Sequence, residues 1–313
     1  MKVLFIDTVH PCLADELGTM GYTCDGKADL SPEEITAIIG DYEGLVLRSK
    51  MKLDQAFLEK ATKLKFIARS GSGMENIDVA FAESKGIQCF NSPEGSRDAV
   101  GEHSLALLLA LFNKLVSGDQ NVRVGEWDRE HHRGIELTGK TVGIIGYGNM
   151  GSSFAEKLGG FDCTVLAYDK YKENFGSDAV AEVSLEELQQ RADVISFHVP
   201  LTEETNHYFD AAFITSCANP FYLLNTSRGK IVDTAALAEA LENERVLGAG
   251  LDVLEFETLS FERLQQEELP PAFQYLAGSP KTILSPHVAG YTVEAYRKLS
   301  EVLAKKIKEA GLL

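Results

Sequence analysis

The sequence predicts an α/β protein of two domains, each built on a parallel sheet, and three observations carry that reading. Strand-like apolar runs alternate with helical stretches along the whole chain. The 313 residues are more than one core of this class ordinarily serves, so two domains are expected. In mid-chain an apolar run passes directly into glycines at 146, 148 and 151, the spacing of a tight strand-to-helix turn.

The first unit reads KVLFID at the amino terminus, GLVLRS at 44–49, LKFIARS at 64–70 and GIQCF at 86–90, with helical segments between them. After NSPEGSRD a strongly helical run extends from Ala99 to about Ser117, apolar on more of its surface than one buried stripe requires. A polar segment around Trp127 to Arg133 precedes TVGIIGYGNMGSSFAEKL at 141–158 and the strand CTVLAYD. Further strands are DVISFHV at 193–199, FYLLNTS at 221–227, LGAGLDVL at 247–254 and TILSPHV at 282–288. The amphipathic stretch from Val293 to Ala310 is a last helix, expected to return to the first domain. Such alternation implies parallel pairing with right-handed crossovers.

Each glycine of the mid-chain turn has a physical task. Gly146 permits the tight turn, Gly148 lets backbone amides approach a pyrophosphate, and Gly151 lets the helix pack closely on the strand. The helix beginning near Asn149 and Met150 then offers unpaired N–H groups and a partial positive charge to the phosphates. The next strand ends in Asp169, 18 residues after Gly151, which completes a βαβ dinucleotide fingerprint. Asp169 is placed to accept from adenosine ribose hydroxyls. A 2′-phosphate there would meet like charge, at about 1 to 4 kcal/mol for a separation near 4 Å, so NAD is preferred over NADP. Lys170 and Lys172 lie close enough in sequence to soften that discrimination.

A net charge of −17 repels nucleic acid and anionic membrane surfaces, so neither is an expected partner. The five cysteines, at 12, 24, 89, 163 and 217, are scattered and show no CxxC spacing, which argues against a disulfide framework and a zinc site. His131 and His132 lack a ligand-spaced carboxylate or cysteine, and no metal is expected. The chain begins at once with a strand pattern, without a basic and apolar leader. Its longest apolar run, Leu105 to Phe112, is too short to span a bilayer. A soluble, cytoplasmic protein is the expectation.

In a sheet of this kind the strand carboxyl ends carry the site. Three of them end in Asn225-Thr226-Ser227-Arg228-Gly229, in the acidic segment Asp252 to Glu257, and in Ser285-Pro286-His287. The set suits carbonyl reduction. A guanidinium can hold a carboxylate or carbonyl oxygen in fork geometry, and an imidazole can exchange the proton. A carboxylate from Glu257 would orient the ring and favour its protonated form.

These residues stand in motifs, GYGNMG, HVPLTEET, NTSRG, LDVLEFE and SPHVAGYT, whose order and content resemble the NAD-dependent D-isomer-specific 2-hydroxyacid dehydrogenases over essentially the whole chain. The likeness is greatest to short D-3-phosphoglycerate dehydrogenases lacking a regulatory domain. It implies two Rossmann-like or flavodoxin-like domains with parallel sheets. A discontinuous substrate domain would comprise residues 1–95 and 288–313, an NAD-binding domain residues 96–287, and the cleft would close on ligand. It implies Arg228 as the substrate-binding arginine, Glu257 as the carboxylate partner and His287 as the acid/base, with Asp252 an auxiliary aspartate near the nicotinamide. His198, Val199, Pro200, Thr205 and Thr226 would lie along the cofactor, His198 through its backbone.

The resemblance further implies a substrate-carboxylate cradle at Arg69, Ser70, Gly71, Ser72 and Gly73, and a cationic set of Arg48, Arg69 and Arg129 for a distal phosphate. It favours a homodimer with the Ala99–Ser117 helix across the twofold interface, an internal core helix being the alternative. His103, in that helix, reads as a satisfied packing histidine. The implied reaction is hydride transfer between nicotinamide and C2 of a D-2-hydroxy or 2-keto acid. The leading substrate pair is 3-phosphoglycerate and 3-phosphohydroxypyruvate, with a serine-biosynthetic role. Glycerate, hydroxypyruvate or glyoxylate reduction is the close alternative, and a non-catalytic NAD-sensing binding protein the alternative from another class.

Three departures from the common pattern stand out. Met74 replaces a usual valine, Thr258-Leu259-Ser260-Phe261 follows Glu257 where a proline is typical, and the step from Glu257 to His287 is 30 residues. Register with Asp252 favours Glu257 over Glu255 as the partner carboxylate, leaving Glu255 as a solvated neighbour.

Overall fold

Residues 1–257 and 269–312 are described by a computed structural model; the departure at Thr258–Phe261 lies outside them. Among the described residues, contacts divide the chain into two compact units, the first comprising residues 1–97 and 290–312, the second residues 98–257 and 269–289.

The first unit carries strands β1 (Lys2–Phe5), β2 (Thr23–Gly26), β3 (Gly44–Leu47), β4 (Phe66–Arg69) and β5 (Gln88–Asn91), all parallel, in the order β2-β1-β3-β4-β5. The central strands β3 and β4 are buried along their whole length, which explains their unbroken apolar sequence. The intervening helices are α1 (Cys12–Thr19), α2 (Pro32–Ile38), α3 (Gln55–Lys60) and α4 (Val79–Ser84). Short helices need started ends, and Asp54 and Asp78 cap α3 and α4 while Ser31 and Glu34 form a reciprocal capping box on α2. The terminal helix spans Val293–Ala310 and sets Leu303, Ala304 and Ile307 against Val3, Phe5, Leu13 and Phe66. β2 carries no apolar alternation, which is why the sequence reading omits it; edge pairing with β1 holds it.

The second unit carries β6 (Thr141–Ile145), β7 (Thr164–Tyr168), β8 (Ala181–Glu182), β9 (Val194–Phe197), β10 (Phe221–Asn225), β11 (Val246–Leu251) and β12 (Thr282–Leu284), again parallel, in the order β12-β11-β10-β9-β6-β7-β8. The strand order reverses between β6 and β9, so the crevice beyond their carboxyl ends is the expected nucleotide position.

The helical run read as Ala99–Ser117 takes a different form. Helix α5 begins earlier, spanning Pro93–Phe112, and a second helix, α6 (Leu115–Arg123), follows after a 60° bend. The Phe112 carbonyl accepts from the Ile135 amide, so it is drawn away from the helical ladder, and Lys114 turns left-handed at φ 48°. Leu107, Leu108, Leu111 and Phe112 pack into the core with Val142, Ile144 and Leu224. The apolar surface of α5 is therefore spent inside its own unit. Exposed apolar side chains fall beyond the break, at Leu115, Val116, Val122, Val124, Trp127 and Ile135. Among the described residues no single helix is long and apolar enough to cross a membrane; α5 and α6 pass that test only as a bent pair.

Candidate active site

The glycine turn joins β6 to α7 (Asn149–Leu158). Gly146 adopts φ +93°, and a Cβ there would stand 2.7 Å from the His198 carbonyl. At Gly151 a Cβ would strike the Gly146 carbonyl. Both positions are thus glycine because of the fold itself. Gly148 is different. It is the residue preceding α7, its φ is −85°, and a Cβ on it would meet nothing within 4 Å. No side chain caps α7, so Asn149, Met150 and Gly151 supply the first turn's amides to an open approach. An uncapped ten-residue helix with a glycine where the protein itself leaves room fits a dinucleotide pyrophosphate.

Asp169 follows β7 and points back at this turn. Its Oδ2 accepts from the Tyr147 amide at 2.8 Å, and its Oδ1 from the Tyr171 and Lys172 amides at 2.9 and 3.0 Å. Lys170 pairs with Glu204, and Lys172 Nζ donates to the Tyr147 carbonyl, so both lysines have partners other than Asp169. On the far side of the switch point, His198 N donates to the Ile145 carbonyl, and Val199 Cγ1 stands 2.8 Å from the position a Gly146 Cβ would take. The turn beginning at Pro200 is closed by Thr205 Oγ1, which donates to the Pro200 carbonyl at 2.6 Å. The buried His198 ring packs against Phe154, its Nε2 is 2.8 Å from Ser196 Oγ, and burial pushes its pKa down to about 3. A ring so held stays neutral.

The three chemical motifs end on adjacent strands in register. Asn225 of β10 aligns with Leu251 of β11, and Leu251 with Leu284 of β12. After β10, Thr226 Oγ1 meets Ser104 Oγ at 3.1 Å, and Asn225 Nδ2 donates to the Arg228 carbonyl, which shapes the arginine loop. Gly229 has no space for a Cβ because the Leu254 carbonyl occupies it. This close approach sets the Arg228 loop against the segment that carries Glu257. Glu257 accepts from the Leu254 amide through Oε1 and presents Oε2 to His287 Nδ1 at 2.7 Å. His287 lies in the left-handed region, φ 54°, with its amide on the Asp252 carbonyl at 2.7 Å.

Asp252 is 1 % exposed. Burial raises its carboxyl, but hydrogen bonds from His103, Ser285 and the Ala289 and Val288 amides outweigh that and hold it below its ordinary value. The two acidic neighbours separate as register required, with one difference. Glu255 is not solvated: it meets His207 Nε2 at 2.7 Å and accepts from Thr234 Oγ1 at 2.7 Å. His103 is satisfied, yet its partners are site residues, Ser285 Oγ at 2.9 Å and Asp252 Oδ1 at 3.4 Å. No local pattern could signal contacts across 182 residues.

In the first unit Arg48 and Arg69 come together. Arg69 Nε donates to the Arg48 carbonyl at 3.1 Å, and the Arg48 guanidinium lies 5.2 Å from the Tyr291 ring centroid. Asp7 Oδ2 collects the amides of Arg48, Ser49 and Lys50. The 69–73 loop is tied down by Ser70 N to the Leu47 carbonyl, by Gly71 N to Ser92 Oγ, and by the Asn91 side chain to the Ser72 carbonyl. The Arg69 side chain lies across Gly71, leaving no space for a Cβ. Arg129 belongs to the second unit and is exposed in the segment before His131.

A parallel sheet with a dinucleotide turn at its switch point, and a histidine and carboxylate paired beyond neighbouring strand ends, places the chain in the class of dinucleotide-binding α/β proteins. Residues 105–289 match the D-isomer specific 2-hydroxyacid dehydrogenase, NAD binding domain, family. The chain is 34% identical over 309 residues to a D-3-phosphoglycerate dehydrogenase of Archaeoglobus fulgidus, covering 98% of this chain but 56% of that protein. It is 35% identical over 285 residues to a hydroxypyruvate reductase of Thermotoga maritima, covering 90% of each. A solved D-lactate dehydrogenase of Aquifex aeolicus, complexed with NAD and lactic acid, superposes with a TM-score of 0.82 at 28% identity, covering 99% of this chain and 95% of that one. The chain belongs to the D-isomer specific 2-hydroxyacid dehydrogenase family, and it spans little more than half the length of the phosphoglycerate dehydrogenase it matches.

Proposed function

We propose that the protein is an NAD-dependent dehydrogenase that interconverts a D-2-hydroxy acid and its 2-keto acid, with 3-phosphoglycerate and 3-phosphohydroxypyruvate the leading pair. The observation that carries the reading is the 2.7 Å contact between His287 Nδ1 and Glu257 Oε2, beyond strands β11 and β12 and next to the β10 end that carries the Arg228 loop. The nicotinamide, when bound, supplies or takes the hydride at substrate C2. Arg228 binds the substrate carboxylate or carbonyl oxygen. Glu257 fixes the His287 ring through Nδ1, so the hydroxyl proton is exchanged at Nε2. Reduction needs the imidazolium, and oxidation the neutral ring.

Residues 1–95 and 288–313 are assigned to substrate, with the tied-down 69–73 loop receiving the carboxylate and Arg48 and Arg69 serving a distal phosphate. In the second unit Gly146, Gly148, Asn149, Met150, Gly151, Asp169, His198, Val199, Pro200, Thr205, Thr226 and Asp252 are assigned to the cofactor. Asp169, with both lysine neighbours engaged elsewhere, favours NAD over NADP. The exposed apolar side chains from Leu115 to Ile135 support a homodimer joined through α6 and the segment after it. The free cysteines support a reducing, cytoplasmic setting.

NADH absorbance followed with 3-phosphohydroxypyruvate, hydroxypyruvate and glyoxylate, with NADPH in parallel, tests the assignment. Preference for the phosphorylated acid is expected. Preference for the small acids moves the protein to a hydroxypyruvate or glyoxylate reductase, and no oxidation with any of them removes the reading.

A further inference from the structure

Ser285 carries one hydroxyl proton, and its Oγ lies between two partners, Asp252 Oδ1 at 2.6 Å and His103 Nε2 at 2.9 Å. An ionised carboxylate only accepts, so the serine proton goes to Asp252 and the serine oxygen accepts from His103 Nε2–H. A directed chain of hydrogen bonds therefore runs from His103 through Ser285 to Asp252, and His103 Nε2 also stands 3.4 Å from Asp252 Oδ1, all within the second unit.

What Asp252 holds is the turn at His287. Its Oδ1 and Oδ2 accept from the amides of Val288 and Ala289 at 2.9 and 2.8 Å, while its own carbonyl accepts from the His287 amide at 2.7 Å. The left-handed backbone at His287, φ 54°, is costly for a residue with a Cβ and persists where its surroundings over-determine it. A carboxylate anchored at one oxygen is rotationally fixed; without that anchor it can follow the turn rather than restrain it.

We propose that His103 is a positioning residue for His287, fixing the Asp252 carboxylate through Ser285 and so aiming the imidazole. The inference rests on the reading of His287 as the acid/base.

Steady-state kinetics, NADH fluorescence titration and thermal melting of the full chain test it in wild type, His103→Ala, His103→Gln, Ser285→Ala and the His103→Ala/Ser285→Ala double variant. In His103→Ala, kcat is expected to fall about 10- to 100-fold, in the range that slight misplacement of a reacting group produces. KM should stay within about threefold and the NADH Kd within about twofold. His103→Gln keeps an N–H donor and should recover most of the loss. The double variant should lose less in kcat and in melting temperature than the two single losses combined. A kcat for His103→Ala within threefold of wild type, or additive losses, overturns the inference. If His103→Ala does not fold, a His103→Gln variant no better than Ser285→Ala overturns it equally. A wild type that turns over no keto acid removes the proposed function and this inference with it, whereas an active wild type with an unaffected His103→Ala removes the inference alone.

Discussion

Two carboxylates near His287 do different work because their surroundings differ. Glu257 meets the imidazole directly, so Glu257→Gln keeps the shape and removes the carboxylate that accepts from Nδ1. Its kcat for keto-acid reduction should fall about tenfold or more, as steady-state rates with NADH would show. Asp252 is held below its ordinary pKa by the hydrogen bonds it collects. A depressed carboxyl contributes stability that is present above its unfolded pKa and lost as pH falls through its folded one. The melting temperature of wild type should therefore drop on acidification below about pH 4 more steeply than that of Asp252→Asn, which has no charge to lose; parallel curves would count against the assignment. At Asp169 the expected change is in selectivity. Asp169→Ala should gain NADP(H) use relative to NAD(H) in paired kinetics, and an unaltered ratio would contradict the ribose role.

The glycine turn separates what the fold needs from what a ligand needs. Gly151→Ala drives a methyl into the Gly146 carbonyl and should destabilise the protein by about 1–3 kcal/mol. Gly148→Ala meets open space and should change stability by less than about 1 kcal/mol, while weakening NADH binding at least tenfold. Chemical denaturation and NADH titration of the two variants measure both effects. Much of this element scale was legible in the sequence, because buried parallel strands such as GLVL and TVGII are continuous apolar runs and the terminal helix keeps a clean amphipathic period. The rest was not, for physical reasons. β2 and β8 are held by pairing rather than composition, and α5 ends where a distant amide, Ile135, takes the Phe112 carbonyl. His103 and Glu255 acquired their partners through tertiary contacts, to Ser285 and Asp252 and to His207 and Thr234.

For the whole molecule, shifting the apolar surface from α5 to the segment beyond it moves the proposed dimer contact. Val124 and Trp127 are 75% and 79% exposed, and side chains of that size cluster on a surface chiefly where a partner covers them. Sedimentation should report a dimer at micromolar concentration, and Val124→Asp with Trp127→Glu should give monomers that melt at a lower temperature. A wild type that sediments as a monomer would refute this contact.

The central claim is that His287, held by Glu257, exchanges the substrate proton. Turnover of wild type and His287→Ala with NADH and 3-phosphohydroxypyruvate, alongside an NADH fluorescence titration, tests it most directly. Loss of about 10²- to 10⁴-fold in kcat with unchanged NADH affinity is the predicted result; turnover in His287→Ala equal to that of wild type would contradict it.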